Sequence, residues 1–110
     1  MRPLDPTAED TVYRCLARAL GLVFVDLESY RVSNGVAARL PAALARERRW
    51  LPFLFNDRRV VLLCDDPFGA VATDPLELSE LLGPPWNRRY GFALVSPSPL
   101  TRALESYYGV

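Results

Sequence analysis

Two clusters in the chain combine arginine with tryptophan or tyrosine, and they are its most obvious groups for binding a ligand. Their members are Arg46, Arg48, Arg49 and Trp50 in the first cluster, and Trp86, Arg88, Arg89 and Tyr90 in the second. Arginine and aromatic rings both stack on nucleic-acid bases, and arginine also binds phosphate. Thirteen basic residues balance thirteen acidic ones, however, so no net charge attracts the chain to a polyanion. We therefore interpret the clusters as a solvated helix end and an exposed turn, and expect no binding of nucleic acid.

Groups that catalyse reactions are scarce in this composition. The chain has no histidine, which removes the commonest general base and the usual activator of a serine or cysteine nucleophile. It has no lysine and no glycine-rich phosphate loop, whose backbone N–H groups and lysine would hold a nucleoside triphosphate. The sequence therefore predicts a protein that is not an enzyme.

The acidic and sulfur-containing residues do not suggest a metal site. Asp65 and Asp66 are adjacent at the end of a predicted strand, so their side chains point apart, and no third ligand is evident. Cys15 and Cys64 are far apart and belong to no CxxC pair, which argues against zinc or redox chemistry. We expect the carboxylates to cap a loop and both thiols to be buried. We expect no metal and no cofactor.

Length and composition indicate a single globular domain over 1–110. Of the 110 residues, 50% are hydrophobic and 24% are charged, as in ordinary folded proteins. The first residues lack the apolar stretch of a signal peptide, and no apolar run is long enough to cross a bilayer. We expect a cytoplasmic protein that does not insert into a membrane.

The part over 1–48 is predicted to be mainly helical, beginning with one amphipathic helix. Apolar residues recur every three or four positions from Val12 to Leu20, which predicts a helix that ends at Gly21. Glu9 and Asp10 are interpreted as negative charge that stabilises the positive end of this same helix. The apolar run Leu22–Leu27 predicts a buried strand or extended segment.

Two shorter helices are predicted to complete the helical part. Ser33-Asn34-Gly35 can cap a short helix that continues through Leu40. Pro41 fits the first turn of the next helix. A backbone N–H at that position has no acceptor within the helix, so proline loses no hydrogen bond there. The basic residues from Arg46 to Arg49 suit the carboxyl end of that helix, where positive charge is stabilising.

The part over 49–110 is predicted to have the order ββαβα, which makes the whole chain an α+β fold with helices packed on a small sheet. The elements are strands over 50–55 and 59–64, a helix over 75–82, a strand over 90–95 and a last helix that begins at 98–99. The third of these strands would pair in parallel through a right-handed crossover. The predicted core consists of Leu16, Leu20, Phe24, Leu40, Leu44, Leu62, Leu78, Leu81 and Leu104.

The order of these motifs resembles a known family, the N-terminal domain of type II secretion and type IV pilus assembly ATPases, also called the MshEN domain. The resemblance extends from about Leu16 to Tyr108. Its motifs are Leu20-Gly21, the strand closed by Asp26-Leu27, Leu40-Pro41, Leu51-Pro52, Asp66-Pro67, Leu78 to Gly83, and Ala103 to Tyr108.

The resemblance implies a non-catalytic domain that docks and regulates a motor. Our leading interpretation is a docking domain that joins an assembly ATPase, or a relative, to a cytoplasmic part of the inner-membrane platform. The chain would then be peripheral to the inner membrane through its partner. The residues expected to contact that partner are Arg14, Arg18, Arg46, Arg48 and Arg49.

The alternative implied by the resemblance is a regulatory module that binds cyclic di-GMP. The residues that could contact this ligand are Gly21, Leu22, Leu40 and Arg46. Family members that bind it carry two tandem segments, the first beginning Arg-Leu-Gly. Here the corresponding residues read Ala19-Leu20-Gly21, with Arg18 one position too early. We expect no second full segment upstream of Thr7. We therefore expect binding to be weak or absent.

Overall fold

The computed structural model describes residues 6–56, 58–73, 77, 80–81 and 89–109, and in that part of the chain helices pack on one mixed sheet. The α+β class predicted from the sequence is confirmed. In chain order the elements are α1 (Pro6–Leu20), β1 (Val23–Phe24), α2 (Asn34–Ala37), α3 (Ala42–Arg48), β2 (Leu51–Phe55), β3 (Arg59–Cys64), α4 (Pro67–Ala72), β4 (Arg89–Leu94) and α5 (Pro97–Tyr108).

The sheet has the strand order β1-β4-β3-β2 among the described residues. β3 and β4 pair in parallel from Arg59↔Arg89 to Cys64↔Leu94, as the sequence predicts, and β2 is the antiparallel hairpin partner of β3. β1 pairs in parallel with β4 through two residues only. The prediction of a buried strand or extended segment over Leu22–Leu27 is confirmed only in part, because β1 covers Val23–Phe24 alone, lies at an edge and leaves Val23 68% exposed.

Local sequence chemistry accounts for several helix ends. Gly21 has a φ of 70°, a left-handed conformation that glycine adopts without steric cost, and it ends α1 as predicted. The Ser33 hydroxyl accepts the Val36 N–H at 3.2 Å and caps α2. That helix ends at Ala37 rather than at Leu40, and Pro41 caps α3 instead of lying in its first turn.

One helix was missed by the sequence reasoning. The residues after β3 were predicted to be a loop, but Pro67–Ala72 forms α4. The Asp66 carboxylate accepts the Gly69 N–H at 3.0 Å, so Asp66 caps this helix. The helix predicted over 75–82 falls largely outside the described residues, and the described Glu77, Glu80 and Leu81 are helical.

The core lies where β2, β3 and β4 meet the helices. Its most completely buried members include Leu40, Ala45, Leu51, Val60, Leu62, Leu63, Leu94, Val95 and Leu100. Of the residues predicted to be buried, Leu40, Leu62 and Leu104 are confirmed. Leu16, Leu20, Phe24 and Leu44 are half-buried. Leu81 is exposed, contrary to prediction, and Leu78 lies outside the described residues.

Candidate functional site

The turn between α1 and β1 holds two of the four residues predicted to contact a ligand. Gly21 is exposed and Leu22 is half-buried, with the Leu22 N–H donating to the Ala17 carbonyl at 2.8 Å. A Cβ built on Gly21 would have no atom within 4 Å, so its backbone lies open to solvent. Arg18 is exposed one turn earlier on α1. We call Arg18, Gly21, Leu22 and Val23 the glycine turn.

The other two residues predicted to contact a ligand lie elsewhere. Leu40 is 1% exposed and belongs to the core, so it could touch a ligand only if the core opened. Arg46 is exposed on α3 and lines a cavity of about 220 Å³. The other residues that line this cavity are Arg49, Thr101, Leu104, Glu105 and Gly109, none of which belongs to the glycine turn. The role of Leu40 and Arg46 in ligand binding stays a prediction.

Two of the arginines predicted to contact a partner, Arg14 and Arg48, already make contacts within the chain. The Arg14 guanidinium lies 4.5 Å from the centre of the Phe24 ring, which ties α1 to β1 through a cation–π contact. Arg48 lies over Trp50 and is 3.7 Å from Glu77, and this exposed ion pair contributes little stability. Their role at an interface stays a prediction.

Arg49 has a structural role that the sequence did not indicate. Its φ of 56° places it in the left-handed conformation at the end of α3. From there its guanidinium approaches the Asp65 carboxylate to 2.8 Å and donates to the Thr101 hydroxyl, also at 2.8 Å. It also donates to the Pro97 carbonyl at 3.3 Å. Arg49 thus links the end of α3 to the end of β3 and the first turn of α5.

The first half of α1 carries a polar network that sequence reasoning assigned differently. Glu9 is buried, and its two carboxylate oxygens accept the backbone N–H and the hydroxyl of Ser98, each at 2.9 Å. The Ser96 hydroxyl donates to the Asp10 carboxylate. These two acids therefore bind at the amino end of α5, in addition to lying in the first turns of α1. A single amino-acid sequence does not indicate which residues so far apart, such as Glu9 and Ser98, will be in contact.

Tyr13 extends this network to β3. Its hydroxyl donates to the Asp65 carbonyl at 3.0 Å. Burial raises the pKa of Tyr13, and the nearby carboxylates of Asp65 and Glu9 act in the same direction. Tyr13 therefore stays protonated at neutral pH and remains able to donate this hydrogen bond.

A cavity of about 430 Å³ lies between the segment after β1 and one face of α5. Its volume is within the range of small-molecule pockets, which is about 300–1,000 Å³. Arg102 and Glu28 both line it and form an ion pair at 2.6 Å. The Tyr107 hydroxyl, at the same cavity, donates to the Val32 carbonyl. Because these polar groups already satisfy one another, we assign no ligand to this cavity.

Metal and membrane sites are not found in the part of the chain that the structure describes. No group of three or more acidic or cysteine side chains there could hold a metal ion. None of the helices among those residues combines the length and the apolar character needed to span a bilayer. The acidic pair was predicted to cap a loop, but Asp66 caps the helix α4 and Asp65 binds Arg49.

We expect only one of the two cysteines to react with a thiol reagent in the native protein. Cys15 is exposed on α1, contrary to prediction, whereas Cys64 is buried in β3 and burial raises its pKa to about 12. At pH 8 the Cys64 thiol therefore stays protonated, and the thiolate is the reactive form. Dithionitrobenzoate should therefore label one thiol per chain, and none in Cys15→Ser until denaturant is added. Rapid labelling of both would contradict the position of Cys64.

Comparisons with known proteins agree with this architecture. A family model described as the MshEN domain matches residues 20–110. No curated protein matches the chain. Among solved structures, the chain is similar to the structure of MshE with cdg, with 23% sequence identity and a TM-score of 0.72, over 96% of this chain and 70% of that one. The low identity means that this similarity shows the fold.

Proposed function

This chain belongs to the MshEN domain family, and from that premise we propose that it is a non-catalytic regulatory domain of a secretion or pilus assembly ATPase that binds cyclic di-GMP. The observation that carries the proposal is the likeness of nearly the whole chain to MshE, whose solved structure contains cdg. The absence of histidine and lysine from the sequence supports a domain that acts by binding rather than by catalysis.

The glycine turn is where we propose that the ligand binds. Gly21 presents backbone without a side chain, so a guanine ring or a phosphate can approach closely. The exposed Arg18 can stack on a base or pair with a phosphate. Val23, 68% exposed, offers apolar surface next to them. Leu40 and Arg46 are not required for binding at this turn.

Docking to a protein partner is a second candidate function, supported by exposed apolar side chains on adjoining elements. Val12 on α1, Val23 on β1 and Phe68 on α4 are 45%, 68% and 67% exposed, and α1 packs against both β1 and α4. A contiguous exposed apolar patch marks an interaction surface, and we propose that these side chains contribute to one. A partner in the inner-membrane platform or the motor stays a prediction, as does peripheral attachment through it.

Isothermal titration with cyclic di-GMP tests the proposed ligand. A turn that lacks the arginine of the Arg-Leu-Gly motif offers fewer contacts, so we expect weak one-site binding, with a dissociation constant of about 10–100 μM. Arg18→Gln should weaken binding about tenfold or more, because a charge-assisted hydrogen bond contributes roughly 1.5–3 kcal/mol.

Arg46→Gln is the matched control, since it removes an exposed arginine outside the glycine turn. It should bind like the parent, and a loss of binding there would move the ligand site to α3. GMP at the same concentrations should give no comparable signal. Absence of heat from cyclic di-GMP up to millimolar concentration would reject this ligand and favour docking as the function.

A further inference from the structure

Two arginines stand side by side at the amino-terminal ends of the parallel strands. Arg59 begins β3 and Arg89 begins β4, and the two residues are paired in register. Neighbouring strands lie about 4.8 Å apart, and paired residues project toward the same face of the sheet. Both side chains are exposed, and the exposed Arg58 precedes them in the β2–β3 hairpin. Positive charge is therefore concentrated at this end of the sheet.

The Arg59 and Arg89 guanidinium groups have no counter-charge among the residues that the structure describes. Neither forms a salt bridge there, in contrast to Arg48, Arg49 and Arg102. Like charges paired across neighbouring strands repel each other and destabilise the sheet, although solvent weakens the effect. An anion bound between the two groups would convert this repulsion into attraction.

The same two arginines line a cavity of about 370 Å³ together with Tyr90 and Gly91. Tyr90 directly follows Arg89 in β4 and packs against the core, so its side chain projects to the other face of the sheet. Gly91 lies on the same face as Arg89, and a Cβ built on it would meet no atom of the described residues within 4 Å.

We propose that Arg59 and Arg89 bind the phosphate group of an anionic ligand. Arginine matches phosphate in geometry because its planar N–H groups contact two oxygens at once. The ligand class is a phosphate ester, either a soluble metabolite or the headgroup of an anionic lipid. The site uses none of the residues of the glycine turn and does not depend on binding of cyclic di-GMP.

Thermal unfolding at constant ionic strength tests the site, with sodium phosphate replacing sodium chloride at fixed pH. Phosphate at ten times its dissociation constant should raise the Tm of the parent by about 5 °C. The double variant Arg59→Gln/Arg89→Gln should lose this shift. In phosphate-free buffer of low ionic strength, Arg89→Gln alone should melt at or above the parent, because it removes one of two repelling charges.

Two further variants keep the test decisive if the double variant folds poorly. Arg59→Gln removes one of the two phosphate-binding groups, so it should fold like the parent and show a smaller phosphate shift. Arg31→Gln, which removes an exposed arginine outside this cavity, should respond to phosphate like the parent.

Flotation with lipid vesicles identifies the source of the phosphate. Binding to phosphatidylglycerol vesicles but not to phosphatidylcholine vesicles, lost in the double variant, would indicate a lipid headgroup. A phosphate-dependent Tm shift without vesicle binding would indicate a soluble ester. Equal phosphate shifts in the parent and the double variant, or no shift together with no vesicle binding, would overturn the proposed site.

Discussion

Replacing Leu62 by alanine should lower the free energy of unfolding by about 2–5 kcal/mol. Leu62 is 1% exposed and lies in β3, paired with Pro52 on one side and Phe92 on the other. Removing three carbon atoms there loses their burial and leaves a cavity that an inner strand cannot collapse to fill. Domains of this size have total stabilities of about 5–15 kcal/mol, so the loss is large.

Urea unfolding followed by circular dichroism measures this effect, and Leu81→Ala is its control. Leu81 was predicted to be buried from the same leucine pattern but is 37% exposed. Its replacement should change stability by no more than about 0.5 kcal/mol. Similar urea midpoints for parent and Leu62→Ala would show that β3 does not occupy the centre of the sheet.

Elements whose ends depend on a single residue type could be predicted from the sequence. Gly21 ends α1 because the left-handed conformation there is open to glycine, and Ser33 caps α2 with its own hydroxyl. β3 was predicted with the observed bounds, since its apolar run lies between turn residues and an acidic pair. Each of these features involves residues within a few positions of one another.

Contacts between distant parts of the chain could not be predicted in the same way. Glu9 was assigned to the dipole of its own helix, but its carboxylate binds Ser98, which is 89 positions away. Arg49 was assigned to a partner surface because basic residues at a helix end are usually solvated, yet it binds Asp65 and Thr101. Charge and position along one helix do not reveal which other element will pack against it.

In the candidate sites, too, some features depend on residues close together in the sequence, and others depend on parts of the chain that only the fold brings together. In the glycine turn, the Leu-Gly pair marks a helix end, which is a local property, whereas the ligand role of Gly21 was implied by the family resemblance. Leu40 was placed in the ligand site by the same resemblance, and the fold buries it in the core. The Arg59–Arg89 pair depends on the register of two strands that are 30 positions apart in the chain, so only the structure brings it together.

Glu9→Ala should also be strongly destabilising, with a loss of about 2–3 kcal/mol in the free energy of unfolding. Glu9 is 8% exposed, and its carboxylate accepts the backbone N–H and the hydroxyl of Ser98 at the amino end of α5. Hydrogen bonds to a charged group contribute roughly 1.5–3 kcal/mol, and a carboxylate at a helix amino end adds a favourable dipole interaction. Alanine would leave the Ser98 donors without this acceptor.

Glu9→Gln separates the charge from the shape of the side chain, because glutamine can still accept one of the two hydrogen bonds. The stability of Glu9→Gln in urea should lie between that of the parent and that of Glu9→Ala. Glu105→Ala, which removes an exposed acid on α5, should match the parent.

Glu9 holds α1 against α5, and α1 carries Arg18 and leads into Gly21. Glu9→Ala should therefore also speed hydrogen exchange in α1 and weaken any binding at the glycine turn. If exchange in α1 is unchanged and stability falls by less than about 0.5 kcal/mol, the contact between Glu9 and Ser98 is not what holds this helix in place.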